Sequence, residues 1–281
     1  MIQEIFPHKF RNEYVPVPPQ KEDYLLIYKG RKILLKCNEG VISYPTFEEL
    51  ECCNDEFDLY DNYTYLFEID GRHFYRGSQI SVSALTDYEW ADMQMFRTSS
   101  PKHLAFAGVT GWQMNRWYET HKFCGRCGKL MVKDAKERMV KCPECGLMEF
   151  PKICPAVIIG LTNGNKMLMT KYAHAEHKRY ALVAGYAETG ETIEETVARE
   201  VMEEVGLKVK NLRYYKSQPW SYSDSLLFGF FCELDGEDET VTLDENELAV
   251  AEWFEREKMP VEANDISLTN EMMMAFKNGL V

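Results

Sequence analysis

Apolar and polar positions alternate with two different periods along this chain. Over roughly the first 120 residues short strand-like runs dominate. Segments 24–28 and 32–36 flank Gly30-Arg31, and segments 65–69 and 73–76 flank Asp70-Gly71. Asp-Gly is a favoured two-residue hairpin pair, so two hairpins are predicted, with only a weak internal echo between them. A helix is predicted over 87–97 with Thr86 as its N-cap, and another over 113–120. From Pro155 onward the pattern becomes α/β. Strands are predicted over 156–161 and 167–171 around an Asn163-Gly164 turn, then over 181–184, 209–215, 226–233 and 251–254. Helices are predicted over 192–205 and 268–277. Strands interspersed with helices imply a mixed sheet packed between helices. The expected layout is an α+β N-terminal domain (1–120), a small cysteine-bearing insert (121–153) and an α/β domain (154–281).

Composition narrows this picture. At 45% hydrophobic and 27% charged, the 281 residues read as an ordinary soluble globular protein. No apolar run approaches the roughly 18 residues of a membrane span, and residues 1–10 lack a signal-peptide core. No membrane association and a cytoplasmic location are therefore expected. The net charge of −13 argues against general electrostatic binding of long nucleic acid. It suits a small anionic substrate only where cations intervene.

Nine cysteines without a secretory signal point to metal ligation in a reducing compartment. Four form Cys124-Gly-Arg-Cys127 and Cys142-Pro-Glu-Cys145, fourteen residues apart. Each C-x-x-C turn offers two thiolates to one ion, and two pairs at this separation form a zinc-ribbon pattern. A redox dithiol would need one pair. With all four positions filled by thiolate, such a zinc has no open site and is structural. A ribbon alone also serves for nucleic-acid contact. Cys37, Cys52 and Cys53 read as buried or incidental thiols.

Candidate chemistry concentrates on the 192–205 helix. Thr192 and Glu195 have capping-box spacing, Ile193, Val197 and Val201 form an apolar stripe, and Gly206 sits at the C-cap. Glu200, Glu203 and Glu204 lie at i, i+3 and i+4 and share a face. Glu203 and Glu204 are expected opposite the apolar stripe, outside the core. Clustered carboxylates of this kind suit Mg²⁺ or Mn²⁺. Arg199 is placed to pair with Glu191 or a neighbouring glutamate. Glu194 and Glu195 read as solvated, as do His174 and His177 in the preceding loop.

The run from Gly185 through Glu191, Arg199, Glu200, Glu203 and Glu204 to Gly206 resembles, at every fixed position, the Nudix box G-x5-E-x7-R-E-U-x-E-E-x-G-U, where U is aliphatic. The resemblance implies an α/β/α sandwich whose box helix holds divalent cations for hydrolysis of nucleoside diphosphate derivatives. Downstream, Ser217-Gln218-Pro219-Trp220-Ser221-Tyr222-Ser223-Asp224-Ser225 is similar to the S-Q-P-W-P-F-P-x-S array of the NAD(H) pyrophosphatase subfamily. Here Ser221 and Ser223 replace prolines and Tyr222 replaces Phe. The ribbon and Phe150-Pro151 match the same subfamily's layout. The resemblance runs from about residue 123 to the end.

By that resemblance, the Ala184 carbonyl, Glu200, Glu203, Glu204 and Glu247 would hold the catalytic metals. Tyr186 would lie beside the nicotinamide, and Gln218, Pro219, Trp220 and the array through Ser225 would bind substrate, with Glu137, Phe150 and Thr269 approaching it. A homodimer whose sites draw on both subunits is also implied. The expected reaction is NAD(H) plus water to AMP plus NMN(H), with Glu203 or Glu247 as the base. Two other readings stand beside it. One is removal of an NAD cap from RNA, aided by a basic patch of Lys133, Lys136, Arg138 and Lys141. The other is a zinc-ribbon binding or regulatory protein with an inactive Nudix domain.

Overall fold

The computed structural model describes the chain except residues 55 and 175–178 and the side chains of 56–58. His177 thus lies outside the described residues. Contacts divide the chain into an N-terminal unit, Ile2–Lys152, and a C-terminal unit, Ile153–Val281 together with Met1. Among the described residues no helix is long and apolar enough to cross a membrane.

The N-terminal unit opens with β1 (Phe10–Arg11), β2 (Tyr24–Leu26), β3 (Tyr28–Lys29), β4 (Lys32–Asn38), β5 (Val41–Ser43), α1 (Phe47–Leu50) and α2 (Glu56–Asp61). It continues with β6 (Tyr63–Ile69), β7 (Arg72–Gly77), β8 (Glu89–Asp92) and α3 (Lys102–Thr120). One sheet has the order β1-β6-β7-β2, and a second has β3-β4-β5 with β8 on β4. The β6–β7 hairpin turns at Asp70 and Gly71, whose φ values of 54° and 82° are what a type I′ turn requires at both centres.

Two expectations need correction. The strand predicted over 24–28 is split at Ile27, because one apolar run serves two sheets. β2 lies parallel to β7 while β3 turns back on β4. The helix predicted over 87–97 does not form. Pairing along β4 (Leu34↔Trp90) claims β8, and only a 3₁₀ turn follows over Met93–Arg97. Asp92, not Thr86, caps that turn by accepting from the Gln94 N–H. Met93 and Phe96, three apart, are its buried residues, as 3₁₀ geometry favours.

α3 approaches the sheets closely through two glycines. A Cβ at Gly108 would overlap Tyr44 Oη and the Phe96 ring, and one at Gly111 would overlap Tyr28 Oη and Leu26. Interior helical glycine costs about 1 kcal/mol relative to alanine. The close approach lets Tyr28 and Tyr44 donate to the Gly108 and Leu104 carbonyls, each at 2.8 Å.

The ribbon strands β9 (Val132–Lys133), β10 (Val140–Lys141) and β11 (Met148–Glu149) form a small sheet in the order β11-β10-β9. β1 pairs only with the far end of β6, at Ile69 and Glu68. The rest of that edge is closed by ribbon side chains. Lys133 Nζ donates to the Tyr63 carbonyl and Thr64 Oγ1, and Arg138 donates to the Leu66 and Asn12 carbonyls. The four cations expected to form a basic patch are therefore divided. Lys136 and Lys141 are exposed, whereas Lys133 and Arg138 spend N–H groups on their own unit.

The C-terminal unit contains β12 (Cys154–Asn163), β13 (Lys166–Tyr172), β14 (Val183–Tyr186), α4 (Ile193–Val205), β15 (Val209–Trp220), β16 (Ser225–Leu234), β17 (Leu248–Glu255) and α5 (Leu268–Lys277). The sheet order is β15-β16-β12-β13-β17, with β14 paired to β12 and a parallel β12–β16 pair at its centre. Strand alternation feeds two cores. Val157, Ile159, Leu161 and Leu168 pack with Val197, Val201 and Val205 of α4. Ile158, Met167 and Met169 pack with Leu268, Met272 and Phe276 of α5. This is the expected helix–sheet–helix sandwich. Several boundaries differ from expectation. Asn163 pairs with Lys166, so Gly164-Asn165 makes the turn. The strand expected at 181–184 is displaced to β14, where it pairs with β12, and β15 extends through Trp220 because it stays paired to β16.

Gly108→Ala should lower the stability of the N-terminal unit by about 1–3 kcal/mol, the usual cost of overpacking. Gly125→Ala, which opens into empty space, should change it by less than about 0.5 kcal/mol. Chemical denaturation followed by circular dichroism would measure both.

Candidate active site

α4 begins with the anticipated capping box. The Glu195 N–H donates to Thr192 Oγ1 at 3.2 Å, and the Thr192 N–H donates to Glu195 Oε2 at 2.8 Å. It ends at Gly206, whose φ of 72° is left-handed. Each residue turns about 100° around an α-helix, so Glu204 falls about 20° from Val197 and Glu203 about 120° away. The carboxylates accordingly do not share one solvent face. Glu200 and Glu204 are 8% and 2% exposed, beside the apolar stripe rather than opposite it. Glu203 points outward, its side chain 58% exposed.

The buried pair lies against β14. A Cβ on Gly185 would coincide with the Glu200 carboxylate, so only glycine leaves room for it. The Ala184 N–H donates to Glu204 Oε1 at 3.4 Å, while Glu204 Oε2 is buried without a hydrogen-bond partner. Burial pushes the Glu204 carboxyl up to about 8 against the opposing Ala184 hydrogen bond, with Glu200, Glu247 and Asp244 adding to the rise. Burial likewise raises Glu200, Arg199 opposes, and Glu203 and Glu247 contribute further. A buried carboxylate oxygen without a donor, among several acids, fits the ligand set of a hard divalent cation. Glu247 is exposed in the turn before β17, held by its N–H to the Asp244 carbonyl and by its own carbonyl accepting from Ala173.

Arg199 organises the rim. Nε and Nη2 grip both oxygens of Glu191, at 2.5 and 2.9 Å. Nη1 donates to Glu200 at 2.8 Å and Glu203 at 2.7 Å, and Nη2 also reaches the Tyr186 carbonyl at 2.9 Å. All five guanidinium donors are thus used. Glu191, held at about 2 chiefly by Arg199, also accepts from the Glu188 N–H and Thr196 Oγ1.

The downstream array is a β-hairpin. Its first half lies on β15, Trp220 pairs with Ser225 of β16, and Asp224 adopts φ 58° in the turn. Tyr186 is half exposed, with its hydroxyl 3.3 Å from Ser225 Oγ, which lies 2.8 Å from Ser223 Oγ. The Trp220 and Tyr222 ring centroids are 4.9 Å apart, Trp220 also touching the α5-side core. Pro219 is exposed and Ser221 is buried. Gln218 is fully buried, and its amide is taken up inside the fold. It donates to the Ile266 carbonyl and accepts from the Leu268 N–H, pinning the start of α5. Thr269 is half-buried in the first turn of α5. Glu137 and Phe150 are exposed residues of the N-terminal unit, and His174 is exposed in its loop.

Two residues of this region were not singled out from sequence. Tyr172, at the end of β13, is raised to about 12 by burial around its hydroxyl and then by Glu204, Glu247, Glu200 and Tyr186. Although its ring is 40% exposed, the field of all these groups converges on its oxygen. Asp244 acts on Glu204, and its N–H donates to the Glu204 carbonyl. Tyr172 closes β13 and Asp244 lies in the loop before β17, and neither falls within the box motif.

In the ribbon, the Sγ atoms of Cys124, Cys127, Cys142 and Cys145 all lie within 4.8 Å of one another. A tetrahedral zinc with bonds of about 2.3 Å needs edges of about 3.8 Å, so the set fits a structural zinc. The two turns are alike. The Gly128 N–H donates to the Cys124 carbonyl and the Gly146 N–H to the Cys142 carbonyl, both glycines at positive φ. Cys37 and Cys52 are exposed and Cys53 is half-buried.

Residues 152–274 match the NUDIX domain family, and residues 119–150 match the NADH pyrophosphatase zinc ribbon domain. A Chromobacterium violaceum protein named NAD-capped RNA hydrolase NudC is 34% identical over 185 residues, 66% of this chain and 69% of that protein. The chain belongs to the Nudix hydrolases. A Haemophilus influenzae protein of the same name is 40% identical over 160 residues, 54% of this chain and 57% of its own length. The match thus spans little more than half of that relative. A solved NUDIX hydrolase from Nitrosomonas europaea is 21% identical with a TM-score of 0.48, covering 56% of this chain and 91% of its own.

Two outcomes follow from the Nudix helix geometry. Gly185→Ala should displace the Glu200 carboxylate and weaken divalent-cation binding at least tenfold. Titration calorimetry with Mn²⁺ on the folded variant would measure this. The second concerns pH. The Glu204 carboxyl lies near 8 in the folded, cation-free chain, above its ordinary 4.5, so the folded state binds the extra proton. Stability should therefore be greatest below about 4.5 for this group and fall as pH rises through 8. Comparing wild type with Glu204→Gln isolates this slope, and saturating Mg²⁺ should flatten it in wild type only.

Proposed function

We propose that this Nudix hydrolase splits the diphosphate of NAD(H) with water, giving AMP and NMN(H). The observation that carries the reaction type is the unpartnered, buried Glu204 Oε2 on α4, beside Glu200 and against β14. Support for the dinucleotide comes from the match to the NADH pyrophosphatase zinc ribbon and from the downstream array.

Glu200 and Glu204, with Glu203, Glu247 and the Ala184 carbonyl, would hold Mg²⁺ or Mn²⁺. Such cations neutralise diphosphate charge and make water a better nucleophile. Arg199 fixes the directions of Glu200 and Glu203 through its Nη1 donors. Tyr186 offers a half-exposed ring for stacking on the nicotinamide or adenine. Glu203 faces solvent on the rim and is one candidate acceptor for the water's proton, and Glu247 is the second.

Removal of an NAD cap from RNA is the second reading, favoured by the relatives' names. The same family resemblance supports a homodimer. Cysteine usage supports the cytoplasm, since a four-thiolate zinc site needs reduced sulfurs.

Glu203→Gln and Glu204→Gln should each reduce turnover on the order of a hundredfold or more, the scale of losing a positioned electrostatic or acid–base group. Glu194→Gln should do little. Product masses from NAD⁺, NADH and NAD-capped RNA in Mg²⁺ or Mn²⁺ would test this. Near wild-type hydrolysis by the folded Glu204 variant would refute the mechanism, and failure of every dinucleotide would refute the substrate.

A further inference from the structure

β12 and β13 pair only near their turn, at Thr162↔Met167 and Asn163↔Lys166. Beyond that point they part, and the segment leading into β14 fills the gap. Ala181 exchanges backbone hydrogen bonds with Thr170 at 2.8 and 2.9 Å, while β14 itself pairs with β12. β13 therefore ends alongside the strand that meets Glu200 and Glu204. On its other side lies β17, with Tyr172 opposite Leu248, and the Ala173 N–H donates to the Glu247 carbonyl at 2.8 Å. The end of β13 is thus flanked by the strand under the box-helix acids and by the turn that carries Glu247.

Tyr172 is the last residue of β13. Alternate residues of a strand share a face. Leu168 packs with the α4 valines, whereas Met167 and Met169 pack toward α5, so Leu168, Thr170 and Tyr172 face α4. The irregularity in the pairing lies on β17, which skips from Val250 to Leu248, so β13 keeps its alternation. The Tyr172 ring is partly exposed, but its hydroxyl is sheltered, and the charges of Glu204, Glu247 and Glu200 all act on it. Among the described residues this hydroxyl makes no hydrogen bond. A phenol keeps its proton near neutral pH, so the group is a donor. A sheltered donor without an acceptor carries an unmet desolvation cost. Arg199 is the opposite case, since all its donors are spent on Glu191, Glu200, Glu203 and the Tyr186 carbonyl.

We propose that Tyr172 is a substrate-contacting residue of this site, its hydroxyl donating to a non-bridging oxygen of the diphosphate. The inference rests on the diphosphate hydrolysis proposed above. Carboxylates that hold cations have their oxygens engaged, which leaves the phenol proton for an acceptor that arrives with the substrate. A phosphate oxygen is anionic, and hydrogen bonds to ionised acceptors are about twice as strong as neutral ones. Tyr172 thereby supplies the donor that the fully engaged Arg199 does not. The contact touches neither base nor nicotinamide, so it serves every dinucleotide that the site accepts. Its place on a paired strand, fixed by the Ala173 and Thr170 backbone bonds, keeps the hydroxyl oriented before substrate enters.

The test is Tyr172→Phe in the full-length chain, which keeps the ring and removes only the donor. Two titrations by calorimetry are compared with wild type. One uses Mn²⁺ alone, and the other uses a non-hydrolysable methylene-bisphosphonate analogue of NAD with Mn²⁺ saturating. The variant is expected to bind the analogue about tenfold more weakly and Mn²⁺ alone within about twofold of wild type. Its kcat/KM for NADH should fall by about tenfold or more. Unchanged analogue affinity in the folded variant would overturn the proposal. So would an equal loss of Mn²⁺ affinity, which would make the hydroxyl a support of the cation site instead of a diphosphate contact. Wild-type chain that hydrolyses no dinucleotide would instead sink the underlying reaction, and this inference with it, whereas active wild type beside an equally active variant sinks this inference alone.

Discussion

The seam between α4 and β14 holds two carboxylates where a sandwich core would ordinarily hold apolar side chains. Val197, Val201 and Val205 anchor the helix on one side of the seam, and Glu200 and Glu204 continue the same surface. Burying a charged group without a partner is costly, so such a group shifts its pKa or acquires a counter-charge. Here the upward shifts at both glutamates record that cost. The strand meets the seam with glycine at 185 and a backbone N–H at 184, so the two carboxylates sit on backbone rather than against side chains. Without that glycine the helix could keep its valine stripe or its Glu200 geometry, but not both.

Arg199 resolves the rest of the electrostatics. One guanidinium ties the loop acid Glu191, the helix acids Glu200 and Glu203, and the strand carbonyl of Tyr186 into a single network. Its planar fork suits this role, since a lysine could not grip both Glu191 oxygens while reaching the others. Notably, Arg199 does not reach Glu204. The acid deepest in the seam is left for something other than the protein to neutralise, which is how a side chain cluster becomes a cation site rather than a closed salt-bridge network.

Sequence reading worked best where a local rule and the tertiary structure agree. The capping box, the Gly206 cap, α5 and the four-thiolate ribbon all depend on contacts within a few residues or on fixed spacing. The Glu191–Arg199 pair was visible for the same reason. Reading failed where a partner distant in sequence decided the outcome. Residues 89–92 became strand because β4 was available to pair with them, and Ile27 broke a strand because two sheets needed its flanks. The placement of Glu204 was misjudged by treating i, i+3 and i+4 as one face, when the 100° step puts Glu203 and Glu204 about 100° apart and turns Glu204 toward the valine stripe. Gln218 looked like a ligand-binding amide, and only the chain at Ile266 and Leu268 reveals it as a strut.

The same reasoning explains why net charge alone was a poor guide to where anions could be met. The acidic total is spread over exposed side chains, while local balance is set by which groups find partners. In the C-terminal unit the unpaired, buried acid is Glu204, which Arg199 leaves aside while it pairs with Glu200, and it calls for cations. In the N-terminal unit Lys133 and Arg138 close a sheet edge with neutral carbonyl partners. An edge strand left with bare carbonyls is costly, and lysine and arginine are suited to cap it because their long stems reach while their heads donate.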